Sequence, residues 1–291
     1  MELKEVIGLR RSIRFYQPYR PVERAKIQKM LEAARQTTFW GNVQALRAIV
    51  MFRESSPAEK WDALVAPLGT QQLKHAPAII LWYWVEDAII DRTTGRLTQG
   101  DRLHELVDAR VMGADAKAEH DALDMLLIPY FTANAEMLLK SGLTEVDCGQ
   151  AIMLATLVAF EEGLGTCCIG TGEIDGTREK RMRRVFNLPD TAHLLLLMTV
   201  GYPLESREAG GQRPKLPFEQ LFYINEHGNA FERDGAVVEE LKRDKMIQPQ
   251  APLEYRQAEL EFVQHALGLP QSFVPMPEAP ASDPGSGGKS G

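Results

Sequence analysis

The sequence predicts an α+β fold, a mixed sheet flanked by helices, and three observations carry that prediction. Short apolar runs rich in β-branched and aromatic residues recur at 48–52, 78–85 and 194–202, each bounded by polar or turn-forming segments. Between them lie stretches with apolar residues at helical spacing. One such stretch, 147–162, is apolar or small on nearly every face, so it must be buried in a large core or between subunits. Helices alternating with a few strands give layered α+β or α/β architectures.

The first helix is expected at about 21–35. Pro21 suits a first helical position, and Ile27, Met30, Leu31 and Ala34 recur on one face with charges opposite. Strands follow at 48–52 and, after His75-Ala76-Pro77, at 78–85. Residues 86–119 are polar and poorly periodic, which predicts an excursion or lid outside the core. Further helices are expected at 123–139, at 147–162 with Asp147 as its cap, and from a Thr177 cap through the basic TREKRMRRVFNLP; a strand closes the series at 194–202. After Phe222 the chain turns polar: INEHGNAFERDG is turn-rich, VVEELKRDK and EYRQAELEFVQHAL read as solvated helices, and PEAPASDPGSGGKSG reads as a disordered tail or linker. The expected division is 1–222, a C-terminal helical extension at 223–270 and a tail at 271–291.

Composition bounds the function. The chain has 291 residues, 44% hydrophobic and 25% charged, as expected of a globular protein whose partners are small molecules. A net charge of −7 argues against nucleic acid as the main partner. Three cysteines, Cys148, Cys167 and Cys168, build no disulfide framework, which points to a reduced, cytoplasmic setting. The N-terminus has charges where a signal peptide needs an apolar core, and no apolar run reads as long enough to span a membrane.

GLGTCCIGTGEID, residues 163–175, is the most unusual stretch. It is not a dinucleotide fingerprint or P-loop, because it follows a helix where those motifs follow a strand and open one. Gly163 and Gly165 are expected to terminate the preceding helix. Adjacent cysteines seldom ligate one metal ion, and no CxxC or paired-histidine spacing supports them. RRSIRF places Arg10, Arg11, Ser12 and Arg14 together, an anion site of the kind a phosphate monoester needs, or else a solvated basic cluster.

These segments occur in a telling order: RRSIRFYQ, then GNVQ at 41–44, the apolar helix with GLGTCCIG, LLLLMTVGYP and finally RPKLPFEQL. The order resembles the nitroreductase family of FMN-dependent oxidoreductases, over roughly 8–222. The resemblance implies a three-layer α/β/α fold, an intertwined homodimer with FMN at its interface, and NADH or NADPH as electron donor. It also implies that Arg10, Arg11 and Ser12 meet the flavin phosphate from one side, and Arg213 and Lys215 from another. Arg14 becomes the candidate cation for the reduced flavin's charge, and Asn42 and Gln44 the amides at the pyrimidine edge. Cys168, Ile169 and Gly170 become the backbone along the ring, which leaves the cysteines as packing residues beside the alternative of a redox-active pair.

The sequence departs from the family pattern where Phe39 and Trp40 replace small residues. Either they stack on a flat substrate or the flavin, or they pack a dimer core. Tyr130 and Phe131 fall in the family's variable substrate region. The resemblance implies ping-pong reduction of a nitroaromatic, quinone or activated alkene, with no catalytic side chain beyond a proton donor such as Thr171. Two alternatives remain: a flavin-dependent oxidase or dehydrogenase of a heterocyclic or peptide-derived substrate, and a flavin-binding protein without turnover whose Phe39-Trp40 plugs the pocket. In either case the C-terminal extension wraps the partner subunit or merely decorates the surface.

Overall fold

A computed structural model describes residues 1–17, 20–65, 71–171, 176–204 and 214–249. Four strands form its centre: β1 (Leu46–Phe52), β2 (Ala78–Val85), β3 (Gly165–Gly170) and β4 (Ala192–Gly201). They lie in the order β1-β2-β4-β3, every pair antiparallel. A parallel bridge from Ser12 to Thr166 adds the N-terminal segment beside β3. β2 has the bounds expected, and seven of its eight residues are buried because both of its faces are covered.

The helices are α1 (Leu3–Leu9), α2 (Arg24–Arg35), α3 (Ala58–Leu64), α4 (Gln71–His75), α5 (Gln99–Asp108), α6 (Ala116–Ala122), α7 (Ile128–Ala133), α8 (Ala135–Lys140), α9 (Leu143–Glu161), α10 (Thr177–Val185) and α11 (Gly235–Arg243). Alternation along the strands divides the core in two. Ala78, Ile80, Trp82, Trp84, Met198 and Val200 face α2 and α9; Met51, Ile79, Leu81 and Leu197 face Trp61, Leu64, Leu73, Met182 and Phe186 of α3, α4 and α10. The result is the three-layer α/β/α arrangement.

Several local expectations are corrected. α2 begins at Arg24, leaving Pro21 outside it. α9 begins at Leu143 after Gly142, whose φ of 78° makes it the N-cap; Asp147 lies inside the helix and accepts the Trp40 backbone N–H at 2.7 Å. α9 is also long and apolar enough to cross a membrane, against the reading of the sequence, yet its Cys148, Ala151, Ile152, Ala155 and Ala159 are packed in the core. Of the two helix-ending glycines, Gly163 has φ 82° as expected, but Gly165 opens β3. A Cβ on Gly165 would lie 2.5 Å from the Ile13 side chain, so the close approach of the N-terminal segment requires glycine. Gly176, not Thr177, caps α10.

The excursion at 86–119 contains α5 and the start of α6. Leu103, Val107 and Leu123 form a small cluster of their own, with Ile128 and Phe131 against it, apart from the two main cores. The helix expected at 123–139 is broken into a π-helical turn (Leu123–Leu127), α7 and α8, with the break at Asn134. α11 exists as expected and is tied to α1: Lys4 pairs with Glu240 at 3.0 Å and Asp244 at 2.5 Å, and Lys245 with Glu5 at 2.8 Å. The helix EYRQAELEFVQHAL, the tail 271–291 and the TGEID half of the glycine stretch beyond Thr171 lie outside the described residues.

Candidate functional site at two edges of the sheet

The first cluster lies at the β3 edge. α1 ends at Arg10, and the chain then runs alongside β3, where the Ile13 N–H donates to the Thr166 carbonyl at 2.8 Å. This places Arg10, Arg11 and Ser12 beside the strand that carries Cys168, Ile169 and Gly170. Along β3 the pleat alternates: Cys167 is buried, Cys168 is exposed, Ile169 half-buried and Gly170 exposed. Among the described residues, chain neighbours aside, no atom lies within 4 Å of the position a Gly170 Cβ would take, which leaves room beside the strand for a flat ring. A basic, hydrogen-bonding segment next to an uncovered strand fits FMN, with Arg10, Arg11 and Ser12 for the phosphate and the backbone of β3 for the ring.

Cys167 and Cys168 point to opposite faces of an extended strand, and all three cysteines are free thiols. The protein atoms crowding Cys168 push its thiol up to about 11, with Cys167 adding to the shift and Arg10 opposing it. Burial, with Asp147 and Glu145 nearby, pushes Cys148 up to about 12. Neither is a thiolate at neutral pH, and the strand geometry separates the vicinal pair.

Arg14 is the residue that the resemblance marks as the cation near the ring. Its side chain is exposed, with one Nη 3.5 Å from the Ser12 carbonyl. Lys215 is exposed in an extended segment, and Arg213 lies outside the described residues. Thr171, by contrast, is buried directly after β3.

The second cluster lies at the β1 edge. Gly41, Asn42 and Gln44 all have positive φ, at 49°, 51° and 49°. Two non-glycine residues in the left-handed region within three positions mark backbone held by its surroundings, a pattern common at ligand sites. Those surroundings are specific: the Gln99 side chain, fully buried, donates to the Gly41 carbonyl at 3.1 Å, and Gln44 donates to the Asn42 side-chain oxygen at 3.0 Å. The amides are thereby paired and presented together.

Trp40 is anchored by its indole N–H to Thr144 at 3.3 Å and lies edge-on to Phe131, centroids 6.4 Å apart. Phe131 contacts the exposed Tyr130 at 5.7 Å. Trp40, Phe131 and Tyr130 thus form a run of neighbouring rings. Phe39 is not among them: it is 8% exposed and packs in the core under α2. Its ring instead helps to line, with Leu31, Gln44, Arg47 and Trp82, a cleft of about 210 Å³ along β1.

Reasoning from the sequence missed three participants. Gln99 lay in a segment without periodicity, and Thr144 lay outside the expected helix. Arg178 looked like a surface residue of a basic helix but is 2% exposed and donates to the Gly170 carbonyl at 2.9 Å. Among the described residues no group of three or more His, Cys, Asp or Glu side chains is placed to hold a metal ion.

Comparison with known proteins fits this arrangement. Residues 7–202 match the family described as the nitroreductase family. The chain belongs to the nitroreductase family. That membership places it among oxidoreductases. A Thermus thermophilus protein named NADH dehydrogenase is 28% identical over 223 residues, covering 76% of this chain and 95% of that protein. Among solved structures, an Exiguobacterium sibiricum protein described as a nitroreductase in complex with FMN superimposes with a TM-score of 0.57 at 22% identity, over 77% of this chain and 98% of that one. A Staphylococcus epidermidis protein described as an NAD(P)H:FMN oxidoreductase gives 0.60 at 15% identity, over 77% and 95%. At these identities the structures establish a shared fold.

Proposed function

We propose that this nitroreductase-family protein is a cytoplasmic, homodimeric, FMN-dependent enzyme. NADH or NADPH would reduce it, and it would then pass the electrons to an electron-poor acceptor such as a nitroaromatic, quinone or activated alkene. Bound flavin supplies the hydride chemistry, while the protein supplies position and electrostatics. Arg10, Arg11 and Ser12 would hold the phosphate, with Arg213 and Lys215 as further cations for it, and the backbone of Cys168, Ile169 and Gly170 would support the ring. Trp40, Tyr130 and Phe131 form the wall against which a flat acceptor stacks. The relatives named for NADH or NAD(P)H chemistry, and the one solved with FMN, support this reading.

The observation that carries the dimer is the separation of the two clusters. Gly170 pairs with Leu196, and β1 opens at Leu46 opposite Trp84, which pairs with His193, so Gly170 and the start of β1 lie toward the same end of the sheet but on opposite edges. Three strand spacings make that about 14 Å. That spacing argues against Asn42 and Gln44 serving a ring on β3 of the same subunit, whereas a two-fold partner would bring its own Asn42 and Gln44 to that ring. α9 offers the surface for it: Leu143, Val146, Met153 and Leu154 form one exposed apolar stripe at helical spacing. Leu221, Phe222, Ile224 and Phe231 in the segment after 214 are exposed as well, and we assign them to contact with the partner.

The visible spectrum of the purified protein, before and after anaerobic addition of NADPH and then NADH, tests the reading. A flavin spectrum that bleaches supports it and names the preferred donor. Bound flavin that neither nucleotide bleaches favours the oxidase or non-catalytic alternative. No flavin after incubation with FMN sinks the proposal. Met153→Glu with Leu154→Glu is expected to give a monomer in light scattering that no longer retains FMN; a monomer that binds FMN as tightly as the parent would mean that the two clusters do not share a ring.

A further inference from the structure

Arg178 is the buried charge that the proposed function leaves unused. Its Nε donates to the Leu64 carbonyl at 2.8 Å and an Nη to the Gly170 carbonyl at 2.9 Å. Three residues on, Arg181 donates to the Ala63 carbonyl at 3.2 Å and the Val65 carbonyl at 2.8 Å. Two guanidinium groups from the first turns of α10 thus meet three consecutive carbonyls at the end of α3, where the helix leaves its acceptors unpaired and its dipole is negative. Arg181 alone would complete that end. Arg178 does something more: it ties the end of α3 to the last residue of β3.

We propose that Arg178 is a positioning residue for the flavin site, fixing the Gly170 peptide at the end of β3 and holding a buried positive charge behind the strand. The inference rests on FMN lying along β3, as proposed above. Glycine is the residue with most backbone freedom to lose, and Gly170 ends the β3–β4 ladder with open space before it, so its orientation needs an anchor from behind. A planar fork reaches two carbonyls from two different elements at fixed angles; an ammonium group cannot do so with the same geometry. The charge matters as well. Reduced flavin carries more negative charge than oxidised flavin, and a cation fixed in a water-poor site favours the reduced form. Arg14 is exposed in this subunit, and in this proposal the larger share of the electrostatic role belongs to the buried Arg178.

The test uses full-length parent protein with Arg178→Lys, Arg178→Met and Arg14→Met. Three readouts are needed: the FMN dissociation constant from flavin fluorescence, the two-electron midpoint potential of bound flavin against reference dyes, and the melting temperature without flavin. Arg178→Met is expected to weaken oxidised FMN about tenfold through the misplaced Gly170 peptide. It should weaken reduced FMN about tenfold further, which is a midpoint potential about 30 mV lower. Arg178→Lys should keep the potential near the parent's yet lose the oxidised-flavin affinity, because it retains the charge without the fork. Arg14→Met should shift the potential less than Arg178→Met.

A lower melting temperature in Arg178→Met, with FMN affinity and potential like the parent's, would leave Arg178 a purely structural residue and overturn the proposal. A larger potential shift in Arg14→Met overturns it too. If Arg178→Met does not fold, Arg178→Lys decides, since parent-like FMN affinity there removes the positioning role. The parent protein is titrated first: absence of FMN binding removes the functional reading and this inference together, whereas binding with indifferent Arg178 variants removes the inference alone.

Discussion

The two edges of the sheet are built by different means. At the β3 edge the groups are held by backbone: the N-terminal segment hydrogen-bonds to Thr166, glycine at 165 lets Ile13 close in, and Arg178 grips the strand from behind. At the β1 edge they are held by side chains: Gln99 on Gly41, Gln44 on Asn42, Thr144 on Trp40, with Phe131 leaning in from a helical excursion that has its own small core. The contrast teaches that the β3 cluster is built into the main fold, while the aromatic part of the β1 cluster leans on elements with a small core of their own. In the proposed function the β1 edge serves both partners, the amides of Asn42 and Gln44 for the flavin and the aromatic residues for the acceptor.

Substitutions sharpen the contrast. The largest effect is expected from Phe39→Ala, which empties a core position and should cost about 3–5 kcal/mol in chemical denaturation. Tyr130→Ala, exposed on the other side of the same aromatic region, should stay within about 0.5 kcal/mol and change the KM for the acceptor instead. Equal costs for the two would erase the distinction between core and wall. Next comes the anion site. Arg10→Ala, and separately Arg213→Ala, should each remove about 1.5–3 kcal/mol of FMN binding, read by equilibrium dialysis. Unchanged flavin content in both would mean that the phosphate lies elsewhere.

Trp40→Phe comes third. It retains an aromatic ring against Phe131 but loses the hydrogen bond to Thr144, and about 0.5–1.5 kcal/mol should appear as a higher acceptor KM with FMN affinity intact. The smallest effect is electrostatic. Burial by itself would raise the Glu86 carboxyl, but hydrogen bonds from Arg92 and His193 outweigh it and hold it below its ordinary value. A depressed carboxylate stabilises above its unfolded value, near 4.5, and that contribution fades as pH falls through the folded value. Glu86→Gln should therefore lower stability slightly at pH 7–8, leave it nearly unchanged at low pH, and so flatten the acid side of the stability profile. An acid limb identical to the parent's would count against the network.

Much of the layered core was legible in the sequence, because β2 and β4 are continuous apolar runs and α2 has a clean amphipathic period. What escaped has physical reasons. α9 starts four residues before Asp147 because a left-handed glycine, Gly142, turns the chain, while the aspartate that looked like a cap is occupied by the Trp40 N–H. α5 was hidden because its buried residues, Leu103 and Val107 among them, close a cluster too small to impose a strong period on the surrounding charges. Phe39 looked like a site residue because it adjoins Asn42 in sequence, yet the turn of the chain sends its ring inward. Arg178 was invisible for a related reason: an arginine aimed at carbonyls inside the protein has the same letter as one aimed at water. Family resemblance supplied the roles of Arg10, Arg11 and Ser12, and the Ser12–Thr166 bridge then gave them a place beside β3.

The clasp between α1 and α11 has a consequence in time as well as in space. Lys4 and Asp244 are separated by 240 positions along the chain. At ordinary rates of protein synthesis, about 5–20 residues per second, roughly ten to fifty seconds pass between the appearance of one partner and the other. Throughout that interval the helix leading into Arg10–Ser12 lacks its brace, although the strand it runs beside has long since emerged. The N-terminal segment of a newborn chain can therefore meet β3 well before α1 meets α11.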